Sequence, residues 1–208
     1  MLIPNWPAPK NIKAFTVTKQ DALADLPPLK FLYQVHGCEV IDALMQQEST
    51  QADGIYTTQY NTPCAIKTAD CLAILLCNTT GTEISALHAG WRGLSKNIIA
   101  EGLKKFTAAP ETIIAWLSPA ICQQHYEVDD AVYKNFSDYK NCFVENRPGH
   151  WLCDIKKIAT LQLQSLGVTH LFGYDYCTSE NEDLFYSHRR EPKNPGRLVH
   201  VIWKEETP

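Results

Sequence analysis

The sequence lacks the features that would direct this protein to a membrane, a secretory route or a nucleic acid. No segment is apolar for long enough to span a bilayer, and prolines and a tryptophan interrupt the N-terminal MLIPNWPAPKNIKAF where a secretory signal needs a continuous apolar run. The 19 Lys and Arg against 23 Asp and Glu give a formal net charge of -4, without a basic run. We therefore expect a cytoplasmic protein that binds a small molecule and neither nucleic acid nor a membrane surface.

Repeats and linkers are also missing. No repeat period or low-complexity tract is visible, and the 12 prolines are scattered along the chain. Since 208 residues can bury a substantial core, we expect a single domain over residues 1–208. The eight cysteines are expected to be mostly reduced thiols, because a chain of this length folds on its core without a disulfide framework.

Short runs rich in β-branched and apolar residues predict seven strands. These strands are expected at residues 30–35, 64–66, 72–77, 83–87, 112–117, 169–173 and 198–203. The run at 72–76 is apolar on both alternating faces, which is typical of a central strand covered on both sides.

Helical spacing of apolar residues predicts a helix through residues 94–106 and another through 155–166. Asp154 and Gly167 are suited to cap the second helix. A third helix is expected through 131–136, because the acidic pair that precedes it suits the positive end of a helix dipole. Strands and helices alternate irregularly, so the predicted fold is α/β, with layers built around a mixed sheet.

Three segments carry the side chains best suited to chemistry: QVHG, TADC and HAGWRG. They place His36, Cys71 and His88 at the ends of predicted strands, where a rigid sheet fixes geometry and loops give access to solvent. Two imidazoles and one thiolate form a three-ligand zinc set with a fourth position open for water or substrate. The same trio can act without metal, with a histidine lowering the pKa of the Cys71 thiol and making it a nucleophile. The residues alone leave both alternatives open.

Six motifs in a fixed order extend this pattern over residues 31–203: QVHG, ADGIYT, TADC, HAGWRG, SPAICQQHYEV and CT…FYSHRRE…GR. Together they resemble the family known as multicopper polyphenol oxidase or laccase-domain proteins, purine nucleoside phosphorylases and peptidoglycan editing factors. The resemblance implies a layered α/β/β/α sandwich with mixed sheets, similar to the catalytic domain of cytotoxic necrotising factor toxins. It also implies that residues 1–30 form a divergent N-terminal segment.

The resemblance implies that His36, Cys71 and His88 are both the metal ligands and the catalytic residues. Zinc is the implied cofactor, with copper as the less favoured alternative. The implied reaction is phosphorolysis of adenosine, inosine, guanosine or methylthioadenosine, deamination of adenosine, or both, with a purine nucleoside and phosphate as partners. Three alternatives are a Cys–His hydrolase that edits peptidoglycan precursors, a copper-dependent polyphenol oxidase and a metal-stabilised binding module without enzymatic activity. No partner protein is predicted.

The matched motifs give further positions an expected role. Arg92 is suited to bind phosphate through its planar guanidinium, although a solvated arginine at a helix start is the alternative. His125 is expected to line the pocket, and Arg189 and Arg190 to add positive charge around an anionic substrate or to pair with nearby acids. Asp70 is a candidate to orient a ligand histidine, with capping of a turn as the alternative.

Overall fold

Twelve strands and four α-helices form the regular structure of the part of the chain described by this computed structural model, residues 1–21, 29–47, 49–193 and 196–206. The strands are β1 (Ile12–Val17), β2 (Val40–Asp42), β3 (Gly54–Thr57), β4 (Cys64–Thr68), β5 (Leu72–Asn78), β6 (Ile84–Ala89), β7 (Ile113–Leu117), β8 (Glu127–Asp129), β9 (Phe143–Arg147), β10 (His150–Cys153), β11 (His170–Gly173) and β12 (Leu198–Lys204). The helices are α1 (Trp91–Ser95), α2 (Ile98–Leu103), α3 (Asp130–Lys134) and α4 (Ile155–Ser165). None of the helices described is long and apolar enough to cross a membrane.

A six-stranded sheet with the order β11-β7-β5-β6-β3-β2 forms the centre of the molecule. The pairs β11–β7 and β2–β3 are parallel and the other pairs are antiparallel, so the predicted mixed sheet is confirmed. Every residue of β5 is buried, as expected for a central strand with both faces covered. Two smaller sheets have the orders β1-β12-β4 and β8-β10-β9.

The two faces of the central sheet pack against different layers. Helices cover one face, where Ile98 of α2 and Ile158 of α4 join the same buried cluster as Leu76 of β5. The β1-β12-β4 sheet covers the other face, with Ile66 and Trp116 in a second cluster. The outer face of that small sheet packs against residues 29 and 31, and its cluster contains no residue of a described helix. The helical fourth layer implied by the resemblance is therefore not found among the described residues.

Two predicted elements are wrong. Residues 30–35 form no strand; only Tyr33 makes an isolated bridge, and Tyr33 and Val35 are 62% and 44% exposed, so their apolar side chains have no layer to pack on. The helix expected through 94–106 is broken into α1 and α2 at Asn97, whose φ of 63° is left-handed. Asparagine tolerates this conformation because its short polar side chain bonds locally.

The other two predicted helices are present. Asp154 caps α4 by accepting a hydrogen bond from the Lys157 backbone, and Gly167 follows the helix with a φ of 90°. Helix α3 begins at the predicted acidic pair but ends at Lys134, two residues before the expected end. Six of the described strands were not predicted: β1, β2, β3, β8, β9 and β10.

A buried histidine joins the three strands of the small sheet. His200 of β12 is fully buried, and its Nδ1 and Nε2 lie 2.8 Å from the hydroxyls of Thr16 on β1 and Thr68 on β4. Burial, with a smaller repulsion from His88, lowers the pKa of His200 to about 3. The folded protein therefore holds this imidazole neutral.

We expect the free energy of unfolding to fall as pH decreases below about 6.5, because the unfolded chain then takes up a proton at His200 that the folded chain refuses. The loss from this group approaches about 1.4 kcal/mol per pH unit until the pH nears its folded pKa. His200→Gln keeps a hydrogen-bonding side chain between the threonines but does not titrate. Urea unfolding of both proteins in chelator should show a shallower acid dependence for the variant; equal slopes would contradict this assignment.

Candidate active site

The structure brings the three sequence-predicted ligand residues together at one edge of the central sheet. His36 lies in the loop before β2, Cys71 lies between β4 and β5, and His88 is the penultimate residue of β6. Their ligand atoms all lie within 4.8 Å of one another, and the two imidazole rings meet edge to face with centroids 4.8 Å apart. His88 is only 3% exposed, whereas His36 is exposed, so solvent reaches the trio from the side of His36.

Asp53, which is fully buried just before β3, positions both histidines. Its Oδ1 lies 2.7 Å from His88 Nδ1, which leaves Nε2 of that ring to face the thiol. The same carboxylate accepts hydrogen bonds from the backbone N–H groups of Val35, His36 and Gly37 at 3.1, 3.0 and 2.6 Å. The loop therefore curves around the carboxylate, and His36 takes a left-handed φ of 58°.

The electrostatics of the trio favour a thiolate beside an imidazolium in the metal-free protein. Burial of Cys71 opposes its ionisation, but hydrogen bonds from His36 and His88 outweigh burial and lower the Cys71 pKa to about 6. Burial lowers the pKa of His88, but its hydrogen bonds with Asp53 and the thiolate outweigh burial and raise that pKa to about 9. The Asp53 pKa lies below its ordinary value because the bonds from His88 and the loop outweigh burial.

The donor set fits a metal ion. Thiolate sulfur and imidazole nitrogen are the atoms that zinc prefers, and three protein ligands leave a position open for water or substrate. Gly90 keeps space beside two of these donors, because a Cβ there would lie 3.0 Å from Cys71 Sγ and 3.5 Å from His88 Nε2. The carboxylate of Asp53 on the other nitrogen of His88 is the arrangement that orients a metal-binding histidine.

A pocket of about 390 Å³ opens over the trio. Arg92 and Arg189 lie in its wall together with Tyr126 and His188. The Arg92 guanidinium stacks over the ring of Trp91, with its Cζ 4.5 Å from the ring centroid. The pocket therefore combines two residues of the trio, His36 and Cys71, with two cations and aromatic surface, while His88 is buried beside it.

The other predicted site residues divide into two groups. Arg92 and Arg189 line the pocket, as does Asp70, but the Asp70 carboxylate contacts no ligand histidine. It accepts hydrogen bonds from the Thr178 hydroxyl at 2.6 Å, the Ser187 hydroxyl at 3.0 Å and the backbone N–H of Arg189 at 2.6 Å. Asp70 thus fixes the loop that carries Arg189, and Asp53 is the carboxylate that holds a histidine of the trio.

Arg190 and His125 do not line the pocket. Arg190 donates to carbonyl oxygens of its own loop, those of Thr178, Ser179 and Phe185. His125 lies beside Cys122, with Nδ1 3.2 Å from its Sγ.

Three residues of the site were not predicted: Asp53, Tyr126 and His188. Each stands inside a motif that carried the resemblance, in ADGIYT, SPAICQQHYEV and FYSHRRE. The available signal for Asp53 was a carboxylate placed directly before an apolar strand.

Comparison with known protein families identifies the family of the chain. The sequence profile of the multi-copper polyphenol oxidoreductase laccase family matches residues 10–205. The chain belongs to this laccase family. The match begins within the segment expected to diverge, so the family similarity extends further toward the N-terminus than the motifs do.

Three proteins of known name or structure match almost the whole chain. A Haemophilus influenzae protein named purine nucleoside phosphorylase is 34% identical over 97% of this chain and 98% of its own length. An Escherichia coli protein named purine nucleoside phosphorylase YfiH is 33% identical, covering 98% of both. The crystal structure of the Neisseria meningitidis protein NMB0706 superposes with a TM-score of 0.92 at 29% identity, covering 99% of both chains.

We expect Asp53→Asn to weaken zinc binding at the trio by about 10–100-fold, the usual effect of removing a partner that orients a ligand histidine. The amide keeps an oxygen acceptor but loses the negative charge that supports His88. Competition with a chromophoric chelator measures the affinity, and circular dichroism checks folding. Asp129→Asn, at an exposed helix cap, is the control. Equal affinity of wild type and Asp53→Asn would contradict the role given to Asp53.

Proposed function

We propose that this chain is a zinc-dependent purine nucleoside phosphorylase. The observation that carries the proposal is a pocket that two arginines share with His36 and Cys71, the two residues of the Cys–His–His trio that line it. The pocket volume lies within the range of about 300–1,000 Å³ typical of small-molecule sites. Full-length relatives that bear the name purine nucleoside phosphorylase support the same reaction. The proposed substrates are adenosine, inosine, guanosine and methylthioadenosine.

Phosphorolysis requires the protein to hold phosphate against the sugar and to let the base depart. A phosphate oxygen forms a bond to C1′ of the pentose while the bond from C1′ to the purine nitrogen breaks. The base leaves with the bonding electron pair and takes up a proton, and the other product is a pentose 1-phosphate. In this proposal Arg92 and Arg189, which line the pocket, bind the phosphate, because a planar guanidinium can donate two parallel hydrogen bonds to phosphate oxygens.

The remaining pocket residues bind the nucleoside. Trp91 and Tyr126 offer aromatic surface to the purine ring, and the Arg92 guanidinium already stacks on Trp91. His188 lies in the pocket wall, where an imidazole can give the departing base its proton.

His36, Cys71 and His88 would hold the metal, and Asp53 would keep His88 in the tautomer that exposes Nε2. When bound, zinc supplies a Lewis acid and lowers the pKa of water at the site. Deamination of adenosine to inosine, which needs water in place of phosphate, is proposed as a second reaction of the same pocket. Copper is the alternative metal. Metal analysis of the purified protein shows whether zinc or copper is bound.

The first test is an assay of the purified protein with adenosine and phosphate, in which adenine and inosine are separated chromatographically. Adenine should form only when phosphate is present. Cys71→Ala should lower the rate by about 100-fold or more, since losing a ligand costs at least as much as losing its supporting partner. Cys64→Ala, in the core between the two sheets, is the control. Adenine release without phosphate, or an active Cys71→Ala, would refute the proposal.

Arg92→Gln should raise the KM for phosphate by about 10–100-fold while the KM for adenosine changes little, because a hydrogen bond to a charged group contributes about 1.5–3 kcal/mol. Steady-state rates over a matrix of both substrate concentrations measure the two constants. Lys104→Gln removes a cation from an exposed ion pair with Glu101 and serves as the control. A change confined to the adenosine KM would assign Arg92 to the nucleoside instead.

A second candidate function is a thiol hydrolase that edits peptidoglycan precursors. The observation that favours it is a chain of hydrogen bonds from Cys71 to His88 and from His88 to Asp53. A nucleophile, its base and the carboxylate that orients the base are linked in the same way. The Cys71 thiolate would attack an acyl carbon of the precursor, and the bond from that carbon to its leaving group would break as His88 gives the leaving group a proton. Water, deprotonated by His88, would then release the acyl group and restore the Cys71 thiolate. Trapping an acyl group on Cys71 with a precursor that carries the wrong amino acid would establish this function.

Thiol reactivity distinguishes the two functions. In metal-free protein, alkylation of Cys71 by iodoacetamide should rise through an apparent pKa of about 6, since only the thiolate reacts. Saturating zinc should suppress this reaction, because a thiolate bound to metal is no longer available. Mass spectrometry of the Cys71 peptide measures the extent against pH. Unchanged alkylation in zinc would contradict the metal site and favour the hydrolase.

A further inference from the structure

A second group of metal-ligand side chains lies outside the pocket. Cys122 and His125 belong to the segment after β7, and Cys177 and Glu180 to the segment after β11. Their ligand atoms all lie within 4.8 Å of one another. Cys177 is buried, Cys122 is partly buried, and His125 and Glu180 are exposed, so an ion can reach the group from solvent.

From this geometry we propose that Cys122, His125, Cys177 and Glu180 form a second zinc site, separate from the trio. The donors are two sulfurs, one imidazole nitrogen and one carboxylate oxygen, which together complete a four-coordinate shell of protein ligands. A shell without an open position is typical of structural zinc, so the proposed ion stabilises this region and takes no part in the reaction.

Four of the six edges of a tetrahedron around zinc can be compared with the expected distances, and the other two are no longer than 4.8 Å. Metal–ligand bonds of about 2.0–2.3 Å place the ligand atoms about 3.3–3.8 Å from one another. His125 Nδ1 lies 3.2 Å from Cys122 Sγ, 3.4 Å from Glu180 Oε1 and 3.8 Å from Cys177 Sγ. Cys122 Sγ lies 3.8 Å from Glu180 Oε1. The four measured edges thus fall close to the expected range.

The nitrogen Nδ1 of His125 cannot make a good hydrogen bond to all three of its neighbours at once. The single hydrogen on an imidazole nitrogen serves one good acceptor, yet three ligand atoms surround Nδ1 of His125. A cation at the centre satisfies all four donors at once. When bound, zinc would replace the thiol protons of Cys122 and Cys177, and its charge would balance the two resulting thiolates and the carboxylate.

The proposed ion would fix one wall of the active-site pocket. The two segments already pair through a bridge between Ala120 and Cys177, and the Thr178 N–H donates to the Ala120 carbonyl at 3.1 Å. The Thr178 hydroxyl in turn holds Asp70, the neighbour of Cys71. Metal binding at this group would therefore anchor the two segments that lead into the pocket residues Tyr126 and Arg189.

The test uses the full chain without an affinity tag and counts metal by mass spectrometry after loading with zinc. Cys71→Ala, which disables the trio, should retain about one zinc per chain, and Cys71→Ala with Cys177→Ser should retain none. Cobalt in Cys71→Ala should give strong sulfur-to-metal absorption in the near ultraviolet. This result is independent of whether the trio performs phosphorolysis.

Glu180→Gln keeps the test valid if cysteine substitution prevents folding, because this side chain is exposed. In the Cys71→Ala background it should weaken zinc binding at least about tenfold in chelator competition. Glu182→Gln, two residues away and also exposed, should leave the affinity unchanged. A zinc-free Cys71→Ala protein, equal affinities for the two glutamine variants, or a Cys122–Cys177 disulfide in place of metal would each overturn the proposal.

Discussion

The buried carboxylate of Asp53 is the interaction on which the active site depends. Burying a charge without partners costs several kcal/mol, so this group persists in the folded protein only because its surroundings satisfy it. Three backbone N–H groups and the imidazole of His88 provide those partners. The same bonds shape the His36 loop and orient His88. One side chain thus fixes two of the three ligands, and any change there should disturb both.

The third ligand is placed by strand register. Strands β5 and β6 pair in a register that places Leu72 opposite Ala89 and Ala73 opposite His88. Cys71, which precedes Leu72, therefore lies next to the end of β6. Because β5 and β6 are central and completely buried, this register is strongly determined by packing on both faces. The thiol therefore lies directly before a fully buried central strand. His36, in contrast, depends on a loop and on Asp53.

Structural features that depend on neighbouring residues in the sequence could be predicted, whereas features that depend on contacts between distant residues could not. Central strands, the capped helix α4 and the convergence of the trio are encoded in local patterns and in ordered motifs, and all are present. Asp53 escaped prediction because its role arises from contacts with a loop about 16 residues earlier and a strand 35 residues later. His125 was expected in the pocket, but it lies with Cys122, Cys177 and Glu180 instead. The two members of each pair, Cys122/His125 and Cys177/Glu180, are three residues apart, but Cys177 follows His125 by 52 residues. Only the fold shows that these pairs meet.

In the proposed account, one metal ion takes part in the reaction and a second stabilises one wall of the pocket. The central claim concerns the first, and the most direct measurement is phosphorus NMR of the zinc-loaded protein with adenosine and inorganic phosphate. The account predicts a new phosphate monoester signal of ribose 1-phosphate that grows in step with adenine. An unchanged phosphate signal, whether adenosine is left intact or converted to inosine alone, would contradict it.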